Sequence, residues 1–218
     1  MKDACVLFSS GIESSVLLWK TAQEREVYPV HVGNGFIWED TEVEYGSRFI
    51  DSVETPNEIH SINRLEFPLD DVYPDHWSLS GEDIPSGESE EGHYLPGRNI
   101  VLLSKTALFC HFNGINDVVH GTLKENPFPD ATDSFFGSYE NGLSEGLDHE
   151  INVLRPFDDR KKTDVIRMAV ENDLPLEHTF SCLRPVAGVH CGECKKCHGR
   201  RESFAEAGVD DPTEYADG

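Results

Sequence analysis

Short apolar runs alternate with segments of helical periodicity along most of this 218-residue chain. Residues 4–8 form the first apolar run, and residues 13–23 carry apolar side chains at helical spacing. Residues 27–32 repeat the strand pattern, and residues 42–53 repeat the helical one. Because helices that connect parallel strands cover both faces of the sheet, the alternation predicts a doubly wound, mainly parallel α/β sheet. The same order continues in strands at 57–62, 117–120 and 152–154 and in helices at 99–113, 134–147, 162–172 and 195–207.

One stretch interrupts this alternation. Residues 75–97 combine glycines and prolines with acidic side chains and show neither a strand nor a helix pattern. A loop of this length inside a compact domain is often functional. We therefore expect a long mobile loop that closes over bound substrate.

Acidic residues outnumber basic ones throughout the chain. Forty-one Asp and Glu face 18 Lys and Arg, which gives a formal net charge of −23. Such a surface repels phosphates, so we expect no broad nucleic-acid-binding face. The acids are interleaved with apolar residues, which disfavours a disordered tail and is typical of a cytosolic protein from a salt-loving microbe. No apolar run approaches the ~20 residues of a membrane span, and the first residues show no signal-peptide pattern, so we expect a cytoplasmic protein.

A polar loop with the sequence S-S-G-I-E-S-S joins the first predicted strand to the first predicted helix. The first backbone N–H groups of a helix have no partner within it, and together with the helix dipole they attract an anion. Serine hydroxyls add donors without bulk, and a glycine lets a phosphate approach the backbone. The alternative is a serine-capped helix after a tight turn, whereas a Walker A loop is excluded because G-x-x-x-x-G-K-[ST] is absent. The candidate phosphate-binding residues are Ser9, Ser10, Gly11, Ile12, Glu13, Ser14 and Ser15.

Four of the six cysteines are crowded together near the C-terminus, at Cys182, Cys191, Cys194 and Cys197. Closely spaced thiolates are typical of a tetrahedral Zn²⁺ site, and four protein ligands leave no open position, so the predicted zinc is structural. An iron–sulfur cluster is the alternative. The other two cysteines lie in apolar segments, and we expect them in the core. We expect one α/β domain over 1–178 and a zinc-binding segment over 179–218 packed on it.

The loop at 9–15 resembles the S-G-G-x-D-S pyrophosphate loop of the PP-loop ATP pyrophosphatases, with Ser10 in place of the first glycine and Glu13 in place of the aspartate. Motifs along the whole chain are similar to those of the 7-cyano-7-deazaguanine synthase (QueC) family, and the chain is identified as a member. They are the cysteine cluster from T-F-S-C at 179–182, the A-G-x-x-D-P-T-x-Y ending at 207–215, Y-L-P-G-R-N at 94–99, P-D followed by Phe at 129–135, and K-x-D-V-I at 162–166. The resemblance implies an α/β fold of the adenine nucleotide alpha hydrolase type.

This resemblance also implies an activity. The family's enzymes are ATP-dependent ligases that convert 7-carboxy-7-deazaguanine and ammonia, through adenylated intermediates, into 7-cyano-7-deazaguanine (preQ0), a precursor of queuosine and archaeosine. It implies catalytic roles for Ser14, Lys162 and Arg98, with Mg²⁺ near Glu13. The implied partners are ATP, the deazaguanine carboxylate and ammonia, without direct nucleic-acid contact, and a homodimer stays open. The expected substrate-binding residues are Arg98, Asn99, Lys124 and Asp130.

Departures from the family pattern lie where substrate chemistry is expected. Ala131 and Thr132 follow Pro129-Asp130 where the family has Cys-Arg, and residues 31–35 differ from the usual F-x-Y-G-Q. Two alternatives therefore stay open. One is a related enzyme that stops at the amide or transfers the acyl group to another amine. The other is a zinc-containing binding protein with a decayed ATP site.

Overall fold

Five parallel strands form one sheet in the computed structural model, which describes residues 3–73, 75–84, 94–124 and 126–216. The strands are β1 (Ala4–Leu7), β2 (Val27–Gly33), β3 (Asn63–Glu66), β4 (Asp117–Val119) and β5 (Asn152–Leu154). Their order across the sheet is β3-β2-β1-β4-β5, and all neighbours are parallel. β1 lies at the centre, and its four residues are buried, as expected of a parallel strand covered on both faces.

Helices cover both faces of this sheet. In the described residues they are α1 (Ile12–Ala22), α2 (Glu39–Ser52), α3 (Trp77–Ser80), α4 (Arg98–Asn113), α5 (Asp133–Leu147), α6 (Lys162–Glu171) and α7 (Lys195–Ala207). One core cluster contains Val16 of α1, Val165 of α6 and Phe204 of α7. A second cluster, with Leu103 of α4 and Phe136 of α5, lies on the other face. The predicted doubly wound α/β fold is therefore confirmed.

The third strand begins six residues beyond its predicted start. Residues 57–62 were expected to be the strand, but within them only an isolated bridge joins Ile59 to Val27, and the ladder with β2 begins at Asn63. β3 is an edge strand in which half-buried and exposed residues alternate. An edge strand has a neighbour on one side only, so its polar sequence N-R-L-E lacks the apolar run of a central strand.

The predicted loop at 75–97 contains a short helix that the sequence did not indicate. This is α3, and the N–H of Ser78 in its first turn donates a hydrogen bond to Nδ1 of His76 (3.3 Å). Residues 85–93, in the middle of the predicted closing loop, lie outside the described residues, so its closure over substrate stays a prediction.

A buried arginine connects the C-terminal motif to the rest of the molecule. Arg200 is fully buried and donates hydrogen bonds to Oγ1 of Thr213 (2.5 Å), the carbonyl oxygen of Leu176 (3.0 Å) and Oγ1 of Thr179 (2.8 Å). Nearby, the N–H of Phe180 donates to the carbonyl oxygen of Ser10 (2.7 Å). The segment after residue 176 is thus held against the loop at 9–15.

None of the helices in the described part of the chain is long and apolar enough to cross a bilayer.

Candidate functional site

A cavity of about 570 Å³ opens beyond the carboxyl ends of the central strands. Its lining includes Leu7 at the end of β1, His31 of β2 and His120 just after β4. Strands β2 and β4 lie on opposite sides of β1, so the order of the sheet reverses at this point. Parallel α/β sheets bind their ligands in the crevice at such a reversal.

The loop at 9–15 forms one wall of this cavity, through Ser9, Gly11, Glu13 and Ser14. The Ser14 hydroxyl donates to the carbonyl oxygen of Gly11 (3.1 Å), and the N–H of Ser9 donates to the Ser14 hydroxyl oxygen (3.3 Å). The two serine hydroxyl oxygens lie 3.5 Å apart. These contacts curl the loop around the start of α1, where backbone N–H groups attract an anion.

Ser10 turns away from this cavity. Its backbone has a φ of 58°, in the left-handed region that glycine adopts most readily, which explains why the resembling motif has glycine there. Its buried hydroxyl donates to the carbonyl oxygen of Glu42 in α2 (2.5 Å). Ile12 and Ser15 are also buried and do not line the cavity. Ser10 and Ser15 were expected to offer hydroxyl donors to a phosphate, but the structure places neither hydroxyl on the cavity wall.

Lys162 and Glu13 form an ion pair on the cavity wall. Lys162 begins α6, and its Nζ lies 3.1 Å from Oε1 of Glu13. Burial opposes ionisation of Glu13, but the charge and hydrogen bond of Lys162 and a backbone hydrogen bond outweigh it, so the pKa of Glu13 is lowered. The structure thus brings together two residues that lie far apart in the sequence, and it keeps the carboxylate ionised.

Arg98 begins α4 and also lines the cavity. Its guanidinium lies over the ring of Phe36, 4.9 Å from the centroid, and burial lowers its pKa. Asp130 and Asn99 hold this end of the helix, since the N–H of Asn99 donates to Oδ2 of Asp130 (2.9 Å) and its Nδ2 donates to the Asp130 carbonyl oxygen (2.8 Å). Asp130 and Asn99 line the cavity, but these polar groups bond to each other. Lys124 is exposed and does not line it, although a substrate contact was expected.

Several lining residues were not selected from the sequence. Two are His31 and Glu42, whose Nε2 and Oε2 atoms lie 3.1 Å apart in a buried pair. His120 contacts Thr122 through Nδ1, and burial together with the charge of Arg155 lowers its pKa to about 4. The signal available for the two histidines was their position near the carboxyl ends of parallel strands. The basic residues missed are Arg160, Lys161 and Lys196.

The four clustered cysteines come together beside the same cavity, which Cys182 also lines. Their sulfur atoms lie within 4.8 Å of one another, with Cys194 Sγ 3.5 Å from Cys197 Sγ and 3.9 Å from Cys182 Sγ. Ligands at about 2.3 Å from a tetrahedral zinc are about 3.8 Å apart, so the spacing fits. Backbone N–H groups point at the sulfurs, including that of Cys191 toward Cys182 (3.3 Å), which favours thiolates. The neighbouring His190 does not join them, since its Nε2 accepts a hydrogen bond from the N–H of Ser181 (3.2 Å).

Comparison with known proteins gives a consistent picture. The family model described as "Queuosine biosynthesis protein QueC" matches residues 3–208. A protein of Haloarcula marismortui named 7-cyano-7-deazaguanine synthase is 30% identical, over 98% of this chain and 95% of its own length. Proteins of the same name from Methanothrix thermoacetophila (30% identical, 99% of each chain) and Thermoplasma volcanium (29% identical, 99% of this chain and 91% of the relative) are similar along their whole lengths.

Proposed function

This chain belongs to the QueC family, and on that premise we propose that it is an ATP-dependent ligase which converts 7-carboxy-7-deazaguanine and ammonia into 7-cyano-7-deazaguanine. The observation that carries the proposal is the shared cavity, where the loop at 9–15, the Lys162–Glu13 pair and Arg98 line one space. The names of the full-length relatives support the same product.

The proposed reaction needs two adenylations, because neither a carboxylate nor an amide carries a good leaving group. First, a carboxylate oxygen attacks the α-phosphorus of ATP, and pyrophosphate leaves with the electron pair of the broken P–O bond. Ammonia then attacks the acyl carbon, AMP leaves and a proton is lost, which yields the amide. Next, the amide oxygen attacks the α-phosphorus of a second ATP, and pyrophosphate leaves again. Loss of AMP and of both N–H protons leaves the nitrile.

Pyrophosphate is the group that we assign to the loop at 9–15. Charge develops on it as the P–O bond breaks, and donors that are already in place stabilise that charge most effectively. Ser9 and Ser14 offer hydroxyls beside the first turn of α1, and Gly11 leaves room for a phosphate oxygen. The backbone N–H groups at the start of α1 complete this proposed pyrophosphate-binding site, which we call the pyrophosphate seat.

Lys162 and Glu13 are the proposed charged groups of that seat. Lys162 Nζ lies 3.1 Å from Glu13 Oε1, and both residues line the cavity. When pyrophosphate leaves beside this pair, Lys162 would exchange its contact with Glu13 for one with the pyrophosphate. The ionised carboxylate of Glu13 is an oxygen ligand of the kind that Mg²⁺ prefers, and it would hold the Mg²⁺ that accompanies ATP. Glu13 is longer than the aspartate of the motif, and from the first turn of α1 its carboxylate reaches Lys162.

We propose that Arg98 binds the acid substrate. Its half-buried guanidinium lines the cavity on the side of α4 and lies over the ring of Phe36, 4.9 Å from the centroid. Asn99 and Asp130, which were expected to bind the substrate directly, are better placed to fix the start of α4 and so to position Arg98.

The cysteine cluster is the proposed site of one structural Zn²⁺. All four ligands are buried, and a closed set of four thiolates leaves no position for a substrate.

We further propose that the protein is adapted to high salt, since it combines a net charge of −23 with similarity to a Haloarcula relative. Counterions would screen the repulsion among its acids.

ATP–pyrophosphate exchange with 7-carboxy-7-deazaguanine tests the proposed function. We expect exchange by the wild type, and a loss of about 10²-fold in Ser14→Ala and Lys162→Met, because each removes a donor to the leaving group. Lys20→Met is the matched control, since Lys20 lies in the last turn of α1 and does not line the cavity. Mass spectrometry of the product completes the test. An amide or a transferred acyl group in place of the nitrile would favour the related-enzyme alternative, and absence of exchange would contradict adenylation altogether.

A further inference from the structure

Positive charge is concentrated in the cavity of an otherwise acidic chain. The chain has 18 Lys and Arg residues, and in its described part five of them line the cavity. They are Arg98, Arg160, Lys161, Lys162 and Lys196. Lys196 differs from the other four, because it comes from the cysteine cluster.

The cysteine cluster determines where Lys196 lies. Lys196 is the second residue of α7, between Cys194, which precedes the helix, and Cys197 in its first turn. Both cysteines are buried and belong to the four-sulfur group. A metal held there would fix the backbone on both sides of Lys196, at Cys194 and at Cys197. The four-carbon stem of a lysine then lets its ammonium group reach a ligand in the cavity.

Lys196 is close to the proposed pyrophosphate seat. It lines the same cavity as Ser9, Gly11 and Ser14 of the loop at 9–15. Its charge acts on Glu13 in the same direction as that of Lys162, since both lower the Glu13 pKa. Its neighbour Lys195 does not line the cavity, although it lies on the same helix turn and carries the same charge.

We infer that Lys196 is a second pyrophosphate-binding lysine, presented to the cavity by the metal-binding turn at 194–197. This inference rests on the proposed function, and it names the residue through which the cysteine cluster takes part in ATP binding. Two lysines are chemically reasonable, because pyrophosphate carries several negative charges and Lys162 has to leave Glu13 to reach it. The cysteine cluster then contributes to ligand binding as well as to folding.

Equilibrium binding of ATP and of inorganic pyrophosphate, measured by calorimetry on the metal-loaded protein, tests this inference without any turnover. We expect Lys196→Gln to weaken both by about tenfold or more, which corresponds to about 1.4 kcal/mol. Lys195→Gln is the matched control and should stay within about twofold of the wild type, since Lys195 does not line the cavity. Lys196→Arg keeps the charge and should retain most of the affinity. Metal content and circular dichroism establish that each variant is folded and loaded.

Three results would overturn the inference. They are wild-type affinity in Lys196→Gln, an equal loss in Lys195→Gln, and a loss of AMP affinity in Lys196→Gln as large as that of ATP. The last would place Lys196 away from the pyrophosphate. Failure of the wild type to bind either ATP or pyrophosphate would instead contradict the proposed function itself, so the two failures are distinguishable.

Discussion

The contact between α2 and the loop at 9–15 yields a quantitative prediction. Gly46 faces Ser10, and a Cβ at Gly46 would lie 2.4 Å from Oγ of Ser10 and 2.6 Å from Cε1 of Phe8. The same Ser10 hydroxyl donates to the carbonyl oxygen of Glu42, one turn earlier in α2. The missing side chain of Gly46 therefore provides the space that the Ser10 side chain occupies.

The magnitudes of the two substitutions follow from this geometry. Gly46→Ala gains about 1 kcal/mol of helix propensity, but overpacking against two atoms closer than any normal contact costs about 3 kcal/mol, so we expect a net loss of about 2 kcal/mol. Ser10→Gly removes left-handed strain of about 1–2 kcal/mol and loses a hydrogen bond of about 1 kcal/mol, so it should stay within about 1 kcal/mol of the wild type. In the double variant the methyl of Ala at position 46 no longer meets the Ser10 hydroxyl. The free energy of unfolding of the double variant should therefore exceed the value expected from adding the two single changes by about 1 kcal/mol.

Urea unfolding of the wild type, both single variants and the double variant, at one salt and metal concentration, measures this coupling. Gly142→Ala is the control, since Gly142 lies within α5 and a Cβ there meets nothing within 4 Å. It should be more stable than the wild type by about 0.5–1 kcal/mol. A Gly46→Ala variant as stable as the wild type, or two substitutions whose effects simply add, would refute the reasoning.

Four further predictions follow from the charges and ligands. Burial opposes ionisation of Glu13, but Lys162 lowers its pKa below the ordinary 4.5. The ion pair therefore stabilises the fold above that pH, and its contribution is lost as the pH falls through the lowered pKa. Glu13→Gln should make the stability of the protein, measured as a function of pH, fall less steeply on the acid side. Arg200→Met should cost about 3 kcal/mol or more in thermal or urea unfolding, because it leaves buried acceptors unpaired, whereas the exposed Arg48→Met should cost less than about 1 kcal/mol. Elemental analysis should find one zinc per chain, and Cys194→Ala should lose the metal and destabilise the fold; a brown, iron-containing protein would contradict zinc. The melting temperature should rise between low salt and molar KCl, and an unchanged or lower value would contradict the salt adaptation.

Local patterns were sufficient for the fold class, the family and the cysteine cluster. Alternating apolar runs specify strands and helices that follow one another, and the strand–loop–helix at 4–22 has the donors of its proposed anion-binding site within a few residues. The four cysteines lie close in sequence, so only a short loop has to close to bring their sulfurs within 4.8 Å of one another. The expectation that Cys5 and Cys110 are core residues is confirmed, since both are fully buried.

Contacts between distant segments decided the rest. Ser10 contacts Glu42 across 32 residues, and Asp130 contacts Asn99 across 31. No local pattern could show that the Ser10 hydroxyl turns away from the proposed phosphate-binding loop, or that the Asp130 carboxylate holds the start of a helix. β3 lies outside its expected range because an edge position tolerates polar residues. Lys196 reaches the cavity, and Lys124 does not, only because the packing of α7 and of the turn after β4 places them so. Side-chain direction is set by tertiary packing, whereas the sequence by itself determined which elements would pack.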